Sequence, residues 1–313
     1  MTMRKFIVTT TISPPTEATI KYSKMDGWDF IMVGDLKTPK DQYDSIDCIY
    51  LDPEYQDEKW KELSDLIGWN CAERKTLGVL EAYEMGADII AIVDDDNIPL
   101  ENWGKNLIIG KEIEVDYYYT DRLCFDPLVH TNHPNIWHRG YPLQLLSKRG
   151  EFEKTRKKII PEVQSGLWNG EPDIDAVCRM EHQPISNFNK DGFPMATNTF
   201  SPFNSQNTIL TRDAAREYFM MGGTGRMTDI WASFYLQSCG FQSVYTEVDV
   251  YHDRFVHSST KDFEDEILGT IHSLSLLEDL KTSPMNIRNY IPIDTFHGLL
   301  EYKEQIKLID NGR

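Results

Sequence analysis

The sequence has no apolar run long enough to cross a bilayer, no CxxC pair, no glycine-rich phosphate loop near its start, and few basic residues for its acids. Each shortage excludes something. A spanning helix needs about 20 apolar residues, and the short run after Met1 to Lys5 is broken by threonines, so neither a membrane span nor a signal peptide is expected. The cysteines are Cys48, Cys71, Cys124, Cys178 and Cys239, odd in number and widely spaced. That pattern argues against a disulfide frame and predicts reduced thiols in a cytoplasmic protein. His130, His133 and His138 lack the helical register of a zinc site. Lys and Arg number 32 against 50 Asp and Glu, a net charge of -18, so nucleic acid and anionic membranes are not expected partners. The missing phosphate loop weighs against a nucleotidyltransferase.

What is present centres on Ala87 to Asn97. A β-branched apolar run, Ile89 to Val93, stops at Asp94, Asp95 and Asp96, which reads as a strand buried on both faces that delivers carboxylates to a sheet edge. Ligands bind at such edges in open α/β sheets. Three adjacent aspartates repel one another unless a cation balances them, so a hard divalent metal, Mn²⁺ or Mg²⁺, is the expected ligand.

Before this strand, apolar runs at 6–12, 28–33 and 46–51 predict three more strands, with amphipathic helices over 58–67 and from an Asn70 cap to about Glu84. Alternating strand and helix predicts an α/β fold with a mostly parallel central sheet flanked by helices. From 121 to 203 the sequence is irregular and rich in Pro, Asn, His and Gly, broken by the charged stretch 147–158. Helices are predicted over 211–220 and, capped by Thr228, over 229–238, then a strand over 242–250. Residues 1–258 read as one α/β domain and 259–313 as a helical extension packed on it. Arg74 and Lys75, on the first turns of the helix before the triplet strand, are candidate cations for a diphosphate. The strand ends at Thr9, Thr10 and Asp35 face the same edge and are candidates for base and ribose.

The fragments MVGDLKTP, AERKTLGVLEAYEMGADIIAIVDDDN, IWHRGYPLQLL, SGLWNGEPDIDAV, FNSQNTIL and TDIWASFYLQ resemble, in this order, the plant STELLO-type glycosyltransferases. Four of these elements also resemble the reversibly glycosylated polypeptides, the UDP-arabinopyranose mutases. The resemblance implies a GT-A fold, with residues 1–258 the nucleotide-sugar-binding and catalytic domain, a nucleotide-sugar donor carried by UDP, a hydroxyl acceptor and a divalent metal. By it the triplet matches the DXD element, with Asp96 a metal ligand, Asp94 a ligand to metal or ribose, and Asp95 turned toward the sugar. Arg139 matches the arginine that the mutases modify with sugar, or serves as a fixed cation. Asp173 and Asp175, two apart on an extended segment, would face one pocket. Trp168 could stack on a sugar or base, and Asn204 and Asn207 could bond hydroxyls. Asp229 matches the acidic residue on the acceptor side, and Gly222 to Gly225 before it read as a closing loop. His257, with His252 as rival, would complete the metal shell. The reading is therefore a metal-dependent glycosyltransferase. A nucleotide-sugar mutase working through Arg139 and a non-catalytic nucleotide-sugar-binding partner are the alternatives.

Overall fold

In the computed structural model, which describes residues 3–254 and 258–312, the N-terminal half folds as its apolar runs dictate. Strands β1 (Lys5–Thr11), β2 (Asp29–Gly34), β3 (Ile49–Leu51) and β4 (Ile89–Val93) pair in parallel in the order β3-β2-β1-β4. Successive side chains of a strand point to opposite faces, and here both faces are covered. Phe6, Val8, Ile90 and Ile92 join one apolar core, Ile7, Ala91 and Val93 the other. Helices α2 (Pro53–Ile67) and α3 (Lys75–Glu84) cover the first face with Trp60, Leu63, Leu77 and Leu80, while α1 (Glu17–Tyr22) gives Ala18 and Tyr22 to the second. Asp52 starts α2, five residues before the predicted 58, by accepting from the Tyr55 amide at 2.8 Å, with Pro53 in the first turn.

Beyond the triplet the remaining strands are β5 (Asn97–Pro99), β6 (Ile113–Tyr119), β7 (Glu153–Ile159), β8 (Val163–Gly170), β9 (Met195–Thr197), β10 (Asn207–Thr211) and β11 (Ser243–His252). They extend the sheet from β4 in the order β10-β8-β11-β9-β6-β7, with β5 on β11. β8 and β11 run in the same direction as β1 to β4, because β10 is antiparallel to both β4 and β8. The class is α/β with a mostly parallel central sheet flanked by helices.

The segment 121–203 is less irregular than its composition predicts. β7 shows no apolar alternation because it is an exposed edge strand, and its Arg156 and Lys158 reach Glu114 of β6 and Glu112 just before it, each at 2.9 Å. The helix predicted over 211–220 is a single turn, α5 (Arg212–Ala215). After it come α6 (Thr228–Ser238), α7 (Ser259–Leu280) and α8 (Ile293–Asn311), with α4 (Ala176–His182) following β8. Leu276, Leu277, Leu299 and Tyr302 of α7 and α8 enter the same core as Trp60 and Leu77. No helix among the described residues is long and apolar enough to cross a membrane.

Candidate functional site

β4 ends where the all-parallel strands β1 to β4 meet the mixed part of the sheet, which the antiparallel β10 begins on its far side. Asp94 therefore leaves the sheet between two cavities and lines both. One, of about 300 Å³, is bounded by Thr10, Ser13, Asn70, Cys71 and Lys75 and also receives Asp95. The other, of about 400 Å³, receives Asp96, Arg139, Asp173, Asp229 and His252. Asp94 to Asn97 form a turn, closed by the Asn97 amide on the Asp94 carbonyl at 3.4 Å, that sends Asp96 into the larger cavity while Asp95 accepts from the Thr11 hydroxyl. Burial pushes Asp95 up to about 6. Burial also raises Asp94, with Lys75 opposing through direct contact with its carboxylate and Asp96 adding to the rise. Asp96 lies below the usual carboxylate range, because the bond and charge of His252 outweigh burial.

His252 ends β11. Its Nδ1 lies 2.6 Å from the Glu171 carbonyl oxygen, which can only accept, so Nδ1 carries a proton and Nε2 is left facing Asp96 Oδ2 at 3.4 Å. Burial would lower the imidazole, but the Asp96 bond outweighs it and its pKa is raised. His257, the other histidine considered, lies outside the described residues. Among the described residues no group of three or more His, Cys, Asp or Glu side chains is arranged to hold a metal ion as it stands.

Arg139 organises the wall of the larger cavity. Its Nε and Nη2 bond Asp173, each at 2.8 Å, and Nη1 and Nη2 bond Asp229 at 2.8 and 3.0 Å. The remaining Nη1 hydrogen goes to the Arg226 carbonyl, so all five donors are engaged. Burial alone would lower Arg139, yet the two carboxylates raise it well above its ordinary value and hold Asp173 and Asp229 below theirs. Asp229 has no oxygen to spare: Oδ2 also accepts from the Ser205 amide at 3.0 Å and Oδ1 from the Ile230 amide at 2.9 Å. The turn that presents Arg139 requires glycine at 140. Its φ is +82°, and a Cβ there would stand 2.2 Å from Ile230 Cγ2. Gly140→Ala is expected to cost about 1–3 kcal/mol; an unchanged melting temperature would contradict that.

Several predicted site residues are placed elsewhere. Arg74 points beneath its helix, bonding Gln56 Oε1 at 3.0 Å and Ser64 Oγ at 3.1 Å over the Trp69 ring, because α2 offers it buried acceptors. Asn70 does not cap α3. It adopts φ 57°, its amide and that of Cys71 bond the Asp35 carboxylate, and a 3-10 turn (Ala72–Arg74) leads into the helix. Asp35 is thus taken up in holding that turn. Asp175 does not share the pocket of Asp173: it caps α4 through the Cys178 amide at 2.8 Å and accepts from Trp137 Nε1. Trp168 is buried between His138 and Phe188, its Nε1 bonded to Gln206. Asn207 bonds Trp103 and Asp249 inside the sheet, and Thr9 is buried in β1, whereas Thr10 lines the smaller cavity. Asn204 donates to Asp173 at 2.8 Å. Thr228 is the first residue of α6 and gives its hydroxyl to Glu73 at 2.9 Å rather than to a cap. The Gly222 to Gly225 stretch packs on α7, where a Cβ at Gly225 would stand 2.2 Å from the Asp265 carbonyl.

The larger cavity also holds Glu73, Ser205, Arg226 and Arg254, which sequence reasoning did not select. Arg226 reaches Glu266 and Asp262 of α7 at 2.7 and 3.0 Å, and Arg254 reaches Asp262 at 2.6 Å. Their only signal is position: Glu73 adjoins Arg74, and Arg226 follows the glycine run.

No protein-family model matches the chain. It is 26% identical over 185 residues to "Probable glycosyltransferase STELLO2" of Arabidopsis thaliana, covering 55% of this chain and 24% of the plant protein. The match to "Probable glycosyltransferase STELLO1" of the same plant has the same identity and coverage. The chain thus spans about a quarter of the length of these relatives, to which it is distantly homologous. Among solved structures, glucosyl-3-phosphoglycerate synthase of Mycobacterium tuberculosis is 13% identical with TM-score 0.43, covering 87% of this chain and 81% of that one. The mannosyltransferase PcManGT of Pyrobaculum calidifontis, in complex with GDP-Man and Mn²⁺, is 9% identical with TM-score 0.36, covering 97% and 86%.

Proposed function

We propose that the chain is a GT-A glycosyltransferase that moves a sugar from a nucleotide diphosphate, UDP by the sequence resemblance, to a hydroxyl acceptor with help from a divalent metal. The observation that carries this reading is the shared position of Asp94. A nucleoside in the smaller cavity and a sugar in the larger one would place the joining diphosphate over Asp94 and Asp96. Asp94, Asp96 and His252 have the donor chemistry for Mn²⁺ or Mg²⁺, and with Nδ1–H fixed on Glu171 the imidazole offers Nε2 to the carboxylate side. A proton or a metal ion must lie on that nitrogen for it to face Asp96 favourably. As they stand these three side chains do not form a metal site by themselves, so the ion would be held jointly by them and the phosphate oxygens of the donor. When bound, the ion would neutralise the diphosphate and stabilise the departing nucleotide.

The chain's own residues would do the rest. Lys75 holds Asp94, and Arg139, fixed by Asp173 and Asp229, supplies a rigid cationic wall. Asp229 in this arrangement anchors that wall. Glu73 lies in the same cavity, bonded through one oxygen to Thr228, and is the better placed carboxylate to receive a proton from an acceptor hydroxyl. An arginine with every donor engaged has no free nitrogen for a sugar, which weighs against the mutase reading. The five free thiols suit a reducing compartment such as the cytoplasm.

The test is UDP release from a panel of UDP-sugars with Mn²⁺, with and without a chelator. Slow, chelator-sensitive release from at least one donor, faster with acceptor, is expected. Tight UDP binding without turnover of any donor would instead identify a non-catalytic binding protein.

A further inference from the structure

Among the described residues the larger cavity is lined by three arginines and no lysine, and the three differ in what they have left to give. All five donors of Arg139 are engaged by protein oxygens. Arg226 spends Nε on Glu266 at 2.7 Å and Nη1 on Asp262 at 3.0 Å, and turns Nη2 toward Asp173 at 3.5 Å. Arg254 makes a single hydrogen bond among the described residues, from Nη2 to Asp262 Oδ2 at 2.6 Å.

Arg254 is not a surface side chain. Its side chain is 5% exposed, yet Nε and Nη1 have neither a partner among the described residues nor a sealed position, and the cavity is the space left to them. Nε carries one N–H and Nη1 two, so three of its five donors are open. Its surroundings leave it short of negative charge. Asp262, in the first turn of α7, also accepts from Arg226, so one carboxylate serves two guanidinium groups. Arg179, held on Glu171 at 3.0 Å, is depressed by burial and next by the charge of Arg254. A buried cation in such a place calls for an anionic partner.

The shape of that partner follows from the guanidinium. A planar fork with open donors matches the paired oxygens of a carboxylate or phosphate, which accept parallel N–H bonds. Arg254 lines the larger cavity and not the smaller one, so the anion it selects lies on the sugar and acceptor side of Asp94 rather than with the nucleoside. On the reading above, the diphosphate takes its counter-charge from the metal ion. Glu73, with one oxygen on the Thr228 hydroxyl, lines the same cavity.

We propose that the acceptor is a small hydroxy compound carrying an anionic group, a phosphate or a carboxylate, and that Arg254 grips this group while the hydroxyl meets Glu73. That the bound molecule is an acceptor rests on the transfer reading above; that it is an anion rests on Arg254. Helix α7 is then part of the site, since its Asp262 aims Arg254.

The test is calorimetry on the full chain, free and with UDP and Mn²⁺ saturating, with glycerol 3-phosphate, glycerate and uncharged glycerol as titrants. At least one of the two anions is expected to bind while UDP stays bound, and glycerol is not. Arg254→Gln should weaken that binding about 10–100-fold, the range for losing hydrogen bonds to a charged group, and leave UDP affinity unchanged. Arg254→Lys keeps the charge without the fork and should recover only part. No binding of either anion up to about 10 mM, equal affinity in Arg254→Gln, binding of glycerol as tight as that of its phosphate, or displacement of the anion by UDP would overturn the proposal, the last by assigning Arg254 to the donor's phosphates. Should Arg254→Gln fail to fold, Arg254→Lys decides the matter, since affinity equal to that of the unaltered chain would overturn it too. If UDP fails to bind and the free chain still binds an anion through Arg254, the transfer reading falls and the anion site stands.

Discussion

Arg139→Ala is expected to destabilise the protein by about 3–5 kcal/mol, the usual consequence of removing one partner from a buried ion pair. Arg139 lies between Asp173 and Asp229, and all three are at most 7% exposed. Alanine would leave Asp229 without its counter-charge and Asp173 with only Arg226, 3.5 Å away. Urea denaturation at constant slope measures the effect, and a loss below about 1 kcal/mol would contradict it. Arg139→Lys should recover only part, since three donors radiating from one nitrogen cannot span two carboxylates that now receive four bonds from a planar fork. Because much of the cost is the stranded charge, Asp173→Asn in the Arg139→Ala background should restore stability, a non-additivity that a simple loss of packing would not produce. The pH dependence has a definite sign. Asp173 and Asp229 are depressed in the folded state, so their contribution is present above the ordinary aspartate range and is lost as pH falls through it and below.

How far the sequence could be read depended on whether the deciding contacts were local. β4 was legible because burial on both faces leaves an unbroken apolar run, but the division of Asp96 from Asp95 is made by a turn over Asp94 to Asn97 rather than by strand alternation. β7 was not, because an edge strand in water carries the composition of a loop. Asp175 illustrates a misread spacing: two residues apart from Asp173, it suggested a shared pocket, but it begins a helix, and capping turns its oxygen to the Cys178 amide. Arg74 and Lys75 are adjacent, yet the start of the helix sends one under α2 and the other to Asp94. Glu73, Arg226 and Arg254 enter the cavity through contacts with residues far away in sequence, such as Glu73 with Thr228, and no local pattern encodes that.

The second large effect concerns Asp96. It lies between His252 and the larger cavity and, unlike Asp94, has no lysine on its carboxylate, so it is the acid most open to a metal ion. Losing a group that only orients a metal ligand costs about 10–100-fold in affinity, and losing a ligand itself should cost at least that. Asp96→Ala should therefore abolish the metal-dependent part of UDP binding while leaving the metal-independent part, set by the smaller cavity, in place. Its fold should survive, because the residue is partly exposed and its ion-pair partner His252 keeps the Glu171 carbonyl. Lys75→Ala should behave differently, freeing Asp94 and weakening binding with and without metal alike.

Calorimetry of UDP binding with and without Mn²⁺, on the unaltered chain and on Asp94→Ala, Asp96→Ala double-substituted protein, tests the central claim most directly. The account predicts that Mn²⁺ tightens UDP binding to the unaltered chain and has no effect on the variant. Equal enhancement by Mn²⁺ in both proteins would contradict it.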